Sequence, residues 1–232
     1  MVSDLSSKSK QHVSDKEKPL LKRAKKEVKI LLGLKKPRLP YQAERVEGTD
    51  KRWKMILTNI RSGDRNLLDL GCNLGLLARR AADAGILTLG VDVDASLIRK
   101  ARSRHRHIHN LSFMCLELNP ETIKDLPEFD IILCLSVHHY WARNYGLEKS
   151  WEMMSTLLAK TRSRLFFEPA SIRKKYWDNA PKIVDLDRQS IINYNMARLT
   201  TLANNGETVH HLGETPCLGR ESFRLLFVVE RR

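Results

Sequence analysis

Apolar residues along most of this chain fall into short runs that alternate between two periods. Residues 66–70, 86–91, 111–116, 129–135 and 165–167 are brief, nearly unbroken apolar stretches, the pattern of strands covered on both faces. Between them apolar positions recur every three or four residues. That spacing predicts helices over 48–60, 76–84, 95–106 and 147–161, with a shorter one over 120–126. Trp53, Ile56, Leu57 and Ile60 form the stripe of the first, and Trp151, Met154, Leu157 and Leu158 that of the longest. Another helix begins at Asp187 or Ser190 and ends near Asn205-Gly206. Residues 208–212 and 223–229 predict two final strands joined by a turn over 213–219, an antiparallel pair. Strand–helix alternation ending in such a pair predicts an α/β, Rossmann-like fold. Its seven-stranded, mostly parallel sheet carries a terminal antiparallel hairpin and helices on both faces.

The first forty residues break the pattern. Residues 1–18 are polar and lack an apolar period, which predicts disorder. Residues 20–32 predict a helix with Leu20, Leu21, Ala24, Val28, Leu31 and Leu32 on one face and basic residues elsewhere. Lys35-Lys36-Pro37-Arg38 follows as a basic linker. The chain therefore divides into a basic extension, 1–40, and a domain, 41–232. Two uses fit the extension: a solvated helix docked on the domain, or a clamp on an anionic polymer or membrane surface.

Charge changes the picture of partners. The formal net charge of +14 and pI near 9.8 imply an anionic partner; RNA, acidic lipid, glycan phosphate and acidic metabolites all satisfy it. No run of 18 apolar residues predicts a membrane span. The N-terminus lacks the apolar core of a secretory signal. The four cysteines are widely spaced with no Cys-x-x-Cys, which argues against a disulfide or zinc framework. A cytoplasmic setting is expected. His105, His107 and His109 alternate without a nearby carboxylate or thiol, so no metal site is expected.

Candidate chemistry gathers where the first strand ends. Gly71 and Gly75 bracket a turn between strand and helix, and Asp92 closes the second strand about twenty residues later. A carboxylate at that distance accepts the hydroxyls of a bound ribose. A dinucleotide site wants Gly-x-Gly-x-x-Gly; here Asn73 and Leu76 replace the second and third glycines, and Asp69 would repel a pyrophosphate. A cationic nucleoside suits the loop better. Asp-Leu-Gly-Cys-Asn-Leu-Gly followed by Gly-Val-Asp-Val-Asp resembles the cofactor-binding half of class I S-adenosylmethionine-dependent methyltransferases. The resemblance spans roughly residues 45–232 and implies S-adenosyl-L-methionine as cofactor. It implies that Gly71, Asn73 and Gly75 line the methionine moiety, that Asp69 attracts its positive charge and that Asp92 holds the ribose. It further implies Val93 against adenine, Glu117 at the adenine edge, and Ser136 at the cofactor side of the fourth strand's end.

A narrower likeness joins Leu-Asp-Leu-Gly-Cys-Asn, Cys-Leu-Ser-Val and Phe-Glu-Pro-Ala-Ser to the RNA 5′-phosphate-capping methyltransferases related to the bicoid-interacting protein. The substrate loop departs from theirs, with His138-His139-Tyr140-Trp141 where they carry Thr-Lys-Trp. Residues 136–141, read as a loop beyond the fourth strand, are the first place to seek acceptor chemistry. His138 or His139 would act as base or orient the acceptor. Tyr140, Trp141 and Tyr176 would stack on a planar acceptor, and Glu168 would orient an acceptor donor or cap the fifth strand. The sequence thus predicts a methyltransferase with an anionic acceptor, RNA leading. A small-molecule O- or N-methyltransferase and a non-catalytic cofactor-binding module stand as rivals.

Overall fold

The computed structural model describes residues 46–169, 187–216 and 223–231. The expectations for the N-terminal extension, for Tyr176 and for residues 217–219 lie outside them. The strands are β1 (Asn66–Leu70), β2 (Leu87–Asp92), β3 (Leu111–Cys115), β4 (Phe129–Leu135), β5 (Thr161–Glu168), β6 (Thr208–Pro216) and β7 (Phe223–Glu230). The helices are α1 (Val46–Leu57), α2 (Leu76–Asp83), α3 (Ala95–His105), α4 (His138–Tyr145), α5 (Leu147–Ala159) and α6 (Arg188–Leu202). A single 3₁₀ turn, Thr122–Asp125, stands where the short helix was expected.

The sheet runs in the order β3-β2-β1-β4-β5-β7-β6. The first five strands pair in parallel, and β7 runs antiparallel to both β5 and β6. The reversed strand therefore lies inside the edge, with β6 outermost. Order reverses between β1 and β4, so the chain leaves these neighbours toward opposite sides and opens a crevice above their carboxyl ends.

Period-two alternation sorts the central strands onto two cores. Ile132 and Cys134 of β4 join Leu68, Phe167, Phe227, Trp151 and Leu157 on the face carrying α4, α5 and α6. Ile131, Leu133 and Leu135 join Leu67, Phe166, Val228, Trp53 and Ile56 on the face of α1 and α2. A smaller cluster, with Ala78, Ala82, Ile98, Ala101 and Phe113, seats α2 and α3 beside β3.

Three departures from the pattern reading have identifiable causes. Strand β5 starts four residues earlier than its apolar run because buried polar residues begin it. Thr161 Oγ1 donates to the Leu157 carbonyl at 2.7 Å, and Arg164 pairs with Asp64 and Glu230 at 3.7 and 3.4 Å. Leu57, counted in the stripe of α1, is 43% exposed and is the last residue of that helix. The expected loop after β4 is mostly helix, α4, and this matters most for function.

Phe167 has no exposed surface and sits among His138, Trp151 and Phe227 at ring distances of 5.5, 5.7 and 6.3 Å. Phe167→Ala is expected to cost about 3–5 kcal/mol of folding stability, measured by urea denaturation. A loss below about 1 kcal/mol would place the core elsewhere.

Candidate active site at the carboxyl ends of β1 and β4

The β1–α2 turn is the first half of the site. Gly71, Asn73 and Gly75 all adopt left-handed backbone, with φ of 64°, 55° and 74°. At Gly75 only glycine fits, because a Cβ would meet the Phe113 ring at 2.4 Å. Asn tolerates the conformation at position 73, and Asp92 holds it there by accepting the Asn73 N–H at 2.9 Å. The other Asp92 oxygen accepts the Asp94 N–H at 2.9 Å. A carboxylate has about four acceptor positions, so Asp92 braces the turn and keeps capacity for a ligand. His105, the first of the three alternating histidines, is 4% exposed, and its Nε2–H donates to the Leu74 carbonyl at 3.1 Å. That distance requires the Nε2-protonated tautomer. The helical spacing of α3 was the only sequence signal for this contact.

Asp69 is buried at the end of β1. Gly75, the N-cap of α2, offers no capping side chain, and Asp69 Oδ2 supplies the missing acceptor to Ala78 N–H at 3.2 Å. Burial pushes its pKa up to about 7; the Ala78 bond and Arg52 oppose the rise, and Asp92 adds to it. Asp69 is therefore poised to change charge near neutral pH. The Cys72 thiol beside it is pushed up by burial and by both carboxylates, and is inert.

Two further predicted residues border this half. Val93 is 65% exposed, an apolar side chain left open just beyond β2. Glu117 is exposed after β3, with Tyr145 Oη donating to it at 3.5 Å.

The second half follows β4. Ser136 takes a left-handed turn, φ 59°, that redirects the chain from β4 into α4. Its N–H donates to the Glu168 carbonyl at 3.0 Å. Glu168, fully buried at the end of β5, is the hub. Arg52 of α1 reaches its Oε2 at 2.7 Å, Arg224 of β7 reaches its Oε1 at 2.6 Å, and the Ser136 hydroxyl donates to the same Oε1. Arg224 also donates to Ser136 Oγ at 2.9 Å. Burial alone would raise the Glu168 pKa, but Arg52, Arg224 and Ser136 together hold it below the usual carboxylate value. The Ser136 side chain is thus committed to Glu168 and Arg224, not to the crevice above β1.

Helical geometry splits the predicted acceptor residues. Positions 138 and 141 share one face of α4, and both turn inward. His138 is 7% exposed, stacks on Trp151 at 4.3 Å and lies 3.0 Å from Ser150 Oγ; burial lowers its pKa to about 3. Trp141 is 4% exposed and its Nε1–H donates to the Leu118 carbonyl at 3.0 Å. Neither can act as proposed: His138 packs the core and Trp141 latches α4 to the segment after β3. His139 and Tyr140 face the other way, their rings 4.1 Å apart, and Tyr140 is 48% exposed beneath Arg143. His139 lies where Arg143, Arg224 and Glu168 all act on its charge; burial and the two arginines lower its pKa to about 4 against the pull of Glu168. Glu168 itself is wholly buried and engaged by Arg52, Arg224 and Ser136. The meeting of the two arginines at Glu168 was missed from sequence, since nothing in the pattern tells a buried guanidinium from a solvated one.

Residues 68–165 match the family model for a methyltransferase domain. A stretch of 87 residues, 37% of the chain, is 34% identical to the ubiquinone biosynthesis O-methyltransferase of Coxiella burnetii. The chain spans 37% of that relative's length. Among solved structures, the bifunctional kinase-methyltransferase WbdD superposes with a TM-score of 0.61 at 19% identity, over 82% of this chain and 39% of that one. The magnesium protoporphyrin IX methyltransferase of Synechocystis PCC 6803, solved with bound S-adenosylmethionine, gives 0.57 at 17% identity, over 97% and 100%. With the turn and the sheet order described above, these matches show a methyltransferase domain over residues 68–165, on the fold of S-adenosylmethionine-dependent methyltransferases.

Proposed function

We propose that this protein transfers a methyl group from S-adenosylmethionine to an oxygen of a small anionic acceptor. The observation that carries the reading is the left-handed turn braced by Asp92, with Asp69 beneath it and exposed Val93 beside it. These residues fit the nucleoside on their own geometry. A Cβ at Gly71 would come within 2.9 Å of Val137, so the lack of a side chain keeps a passage open. Asp92 retains acceptor capacity for ribose hydroxyls, Val93 offers an apolar surface to adenine, and Glu117 lies within reach of the same edge. Asp69 presents negative charge under the turn, suited to a cation and hostile to a pyrophosphate.

Bound there, S-adenosylmethionine would supply an electrophilic methyl group on a sulfonium. The protein's part is orientation and exclusion of water, and orientation alone contributes roughly 7–11 kcal/mol in such displacements. His139 is a poor base at neutral pH, since an effective one has its pKa near the working pH. An acceptor oxygen already ionised on arrival needs no base. His139 then serves as a neutral hydrogen-bonding group that orients the acceptor. The O-methyltransferase named among the relatives supports oxygen as the acceptor atom. RNA is favoured by the chain's charge and by the narrower likeness in three sequence blocks; of the aromatic residues expected to stack on a planar acceptor, Trp141 is core and Tyr140 is paired with His139.

Asp92→Ala is expected to weaken S-adenosylhomocysteine binding by about 1.5–3 kcal/mol, read by calorimetry; unchanged affinity removes Asp92 from the site. Cofactor affinity should rise between pH 6 and 7.5 with release of a proton. Asp69, raised to about 7, must lose its proton to face a positive ligand, so binding favours the ionised form and is weakened below that pKa. A flat profile would show that Asp69 does not sense the ligand. At saturating cofactor, His139→Ala should slow label transfer into the acceptor fraction of a cell extract by roughly tenfold. It should leave the pH dependence of turnover between 6 and 8 unchanged. A rate limb in that range that disappears with His139 would make it a base after all. His138→Ala is expected to cost roughly 1–3 kcal/mol of stability without altering turnover in the folded fraction. Transfer of label into RNA, with binding that falls steeply with salt, would replace the small-molecule reading.

A further inference from the structure

The outer face of α3 carries charge that the protein does not neutralise. Arg99, Lys100, Arg102, Arg104 and the C-cap Arg106 are all exposed, and the helix holds no acid. Elsewhere the exposed Arg61, Arg79, Arg162 and Arg188 each bridge to a carboxylate. Arg99, Lys100, Arg104 and Arg106 bridge to none among the described residues. The nearest acid in sequence, Asp94, is occupied as the N-cap and accepts the Ser96 and Leu97 N–H groups at 2.7 and 3.3 Å. The helix dipole favours cations in the last turn, but Arg99 and Lys100 lie before it. Arg102 and Arg106 stand four positions apart, as do Lys100 and Arg104, a spacing at which like charges disfavour a helix. Arg99, Arg102 and Arg106 fall at i, i+3 and i+7 and so form one stripe, about 10 Å long. The stripe runs into a hollow of about 390 Å³, lined by Arg102, Arg106 and Ser112 together with the apolar Ile108, Leu111 and Phe113. Arg102 is fixed there: its Nε and Nη2 both donate to the Phe113 carbonyl, at 2.9 and 2.7 Å, which leaves Nη1 for a ligand.

We infer that this face docks single-stranded nucleic acid, with phosphates on the stripe of Arg99, Arg102 and Arg106 and a base in the hollow. Guanidinium suits phosphate because its planar fork offers parallel donors to two oxygens. Phosphates follow one another every few ångströms along a strand, so the stripe meets several at once. The apolar side chains of the hollow suit the face of a base, which a single strand can present and a duplex keeps stacked. A membrane surface is a poorer match. The exposed positions of α3 include no large apolar side chain to enter it, because Ile98 and Ala101 pack in the core. Strand β3, which forms the other wall, is separated from β4 by β2 and β1. The docked strand therefore lies apart from His139, and its binding does not depend on which group receives the methyl.

The test titrates the full chain into a fluorescein-labelled oligouridylate of about twelve nucleotides, read by anisotropy across a range of salt concentrations. Affinity should fall steeply with salt. Arg99→Ala and Arg106→Ala should each flatten the log–log slope by about 0.7, the share of one phosphate contact on a single strand. Both side chains are exposed, so neither change threatens the fold. Lys54→Ala, which removes an exposed cation from α1, should leave the slope as it is. Crosslinks from an iodouracil-substituted strand should fall within residues 99–113. Failure to bind would overturn the proposal, and so would slopes unchanged in both arginine variants or crosslinks confined to other segments. Tighter binding to polyglutamate, or to vesicles of equal parts phosphatidylserine and phosphatidylcholine, with loss in the same arginine variants, would assign the face to an acidic protein or a membrane instead.

Discussion

Three left-handed residues within five positions is an unfavourable way to leave a strand, and the turn from Gly71 to Gly75 persists because its surroundings over-determine it. Asp92 holds the Asn73 N–H, His105 holds the Leu74 carbonyl, Asp69 caps the helix that follows, and Phe113 fills the space a side chain at Gly75 would need. Each brace comes from a different element: β2, α3, β1 and β3. The cofactor half of the site is thus a property of the whole parallel portion of the sheet. It also explains a double duty at Asp92, which supports the turn from below while facing the crevice.

The acceptor half is built by a comparable device. Ser136, in a left-handed conformation that its residue type seldom adopts, launches α4 immediately after β4. One face of that short helix carries Trp141 to the Leu118 carbonyl, and its last turn carries Tyr145 to Glu117, beside the adenine edge of the proposed cofactor site. The other face sets His139 near Arg224 and Glu168. A single helix therefore links the two ends of the crevice, and its orientation is fixed by buried aromatic packing on Trp151 and Phe167.

Much of this was legible in the sequence because the determining signals are local. Gly71, Gly75 and Asp92 declare a strand–turn–helix–strand unit by residue type and spacing alone, and the apolar runs place all five parallel strands. What escaped has non-local causes. Residues 136–141 carry no cap and begin with a positive φ, so nothing announced α4; without its period the two adjacent histidines could not be told apart. Arg52 and Arg224 lie 172 positions apart in sequence and meet only because β7 inserts beside β5. The buried polar start of β5 was hidden for a similar reason: Thr161 and Arg164 find their partners on α5, on β7 and at Asp64.

The account turns on a positively charged nucleoside resting above β1 and β2, held by carboxylates and not by a phosphate-binding loop. A crystal structure of the protein soaked with S-adenosylmethionine tests it most directly. Density for the nucleoside with its ribose hydroxyls hydrogen-bonded to Asp92 and its adenine against Val93 is the result expected. A ligand bound away from Asp92, or exclusion of the nucleoside in favour of a dinucleotide in the same crevice, would contradict it.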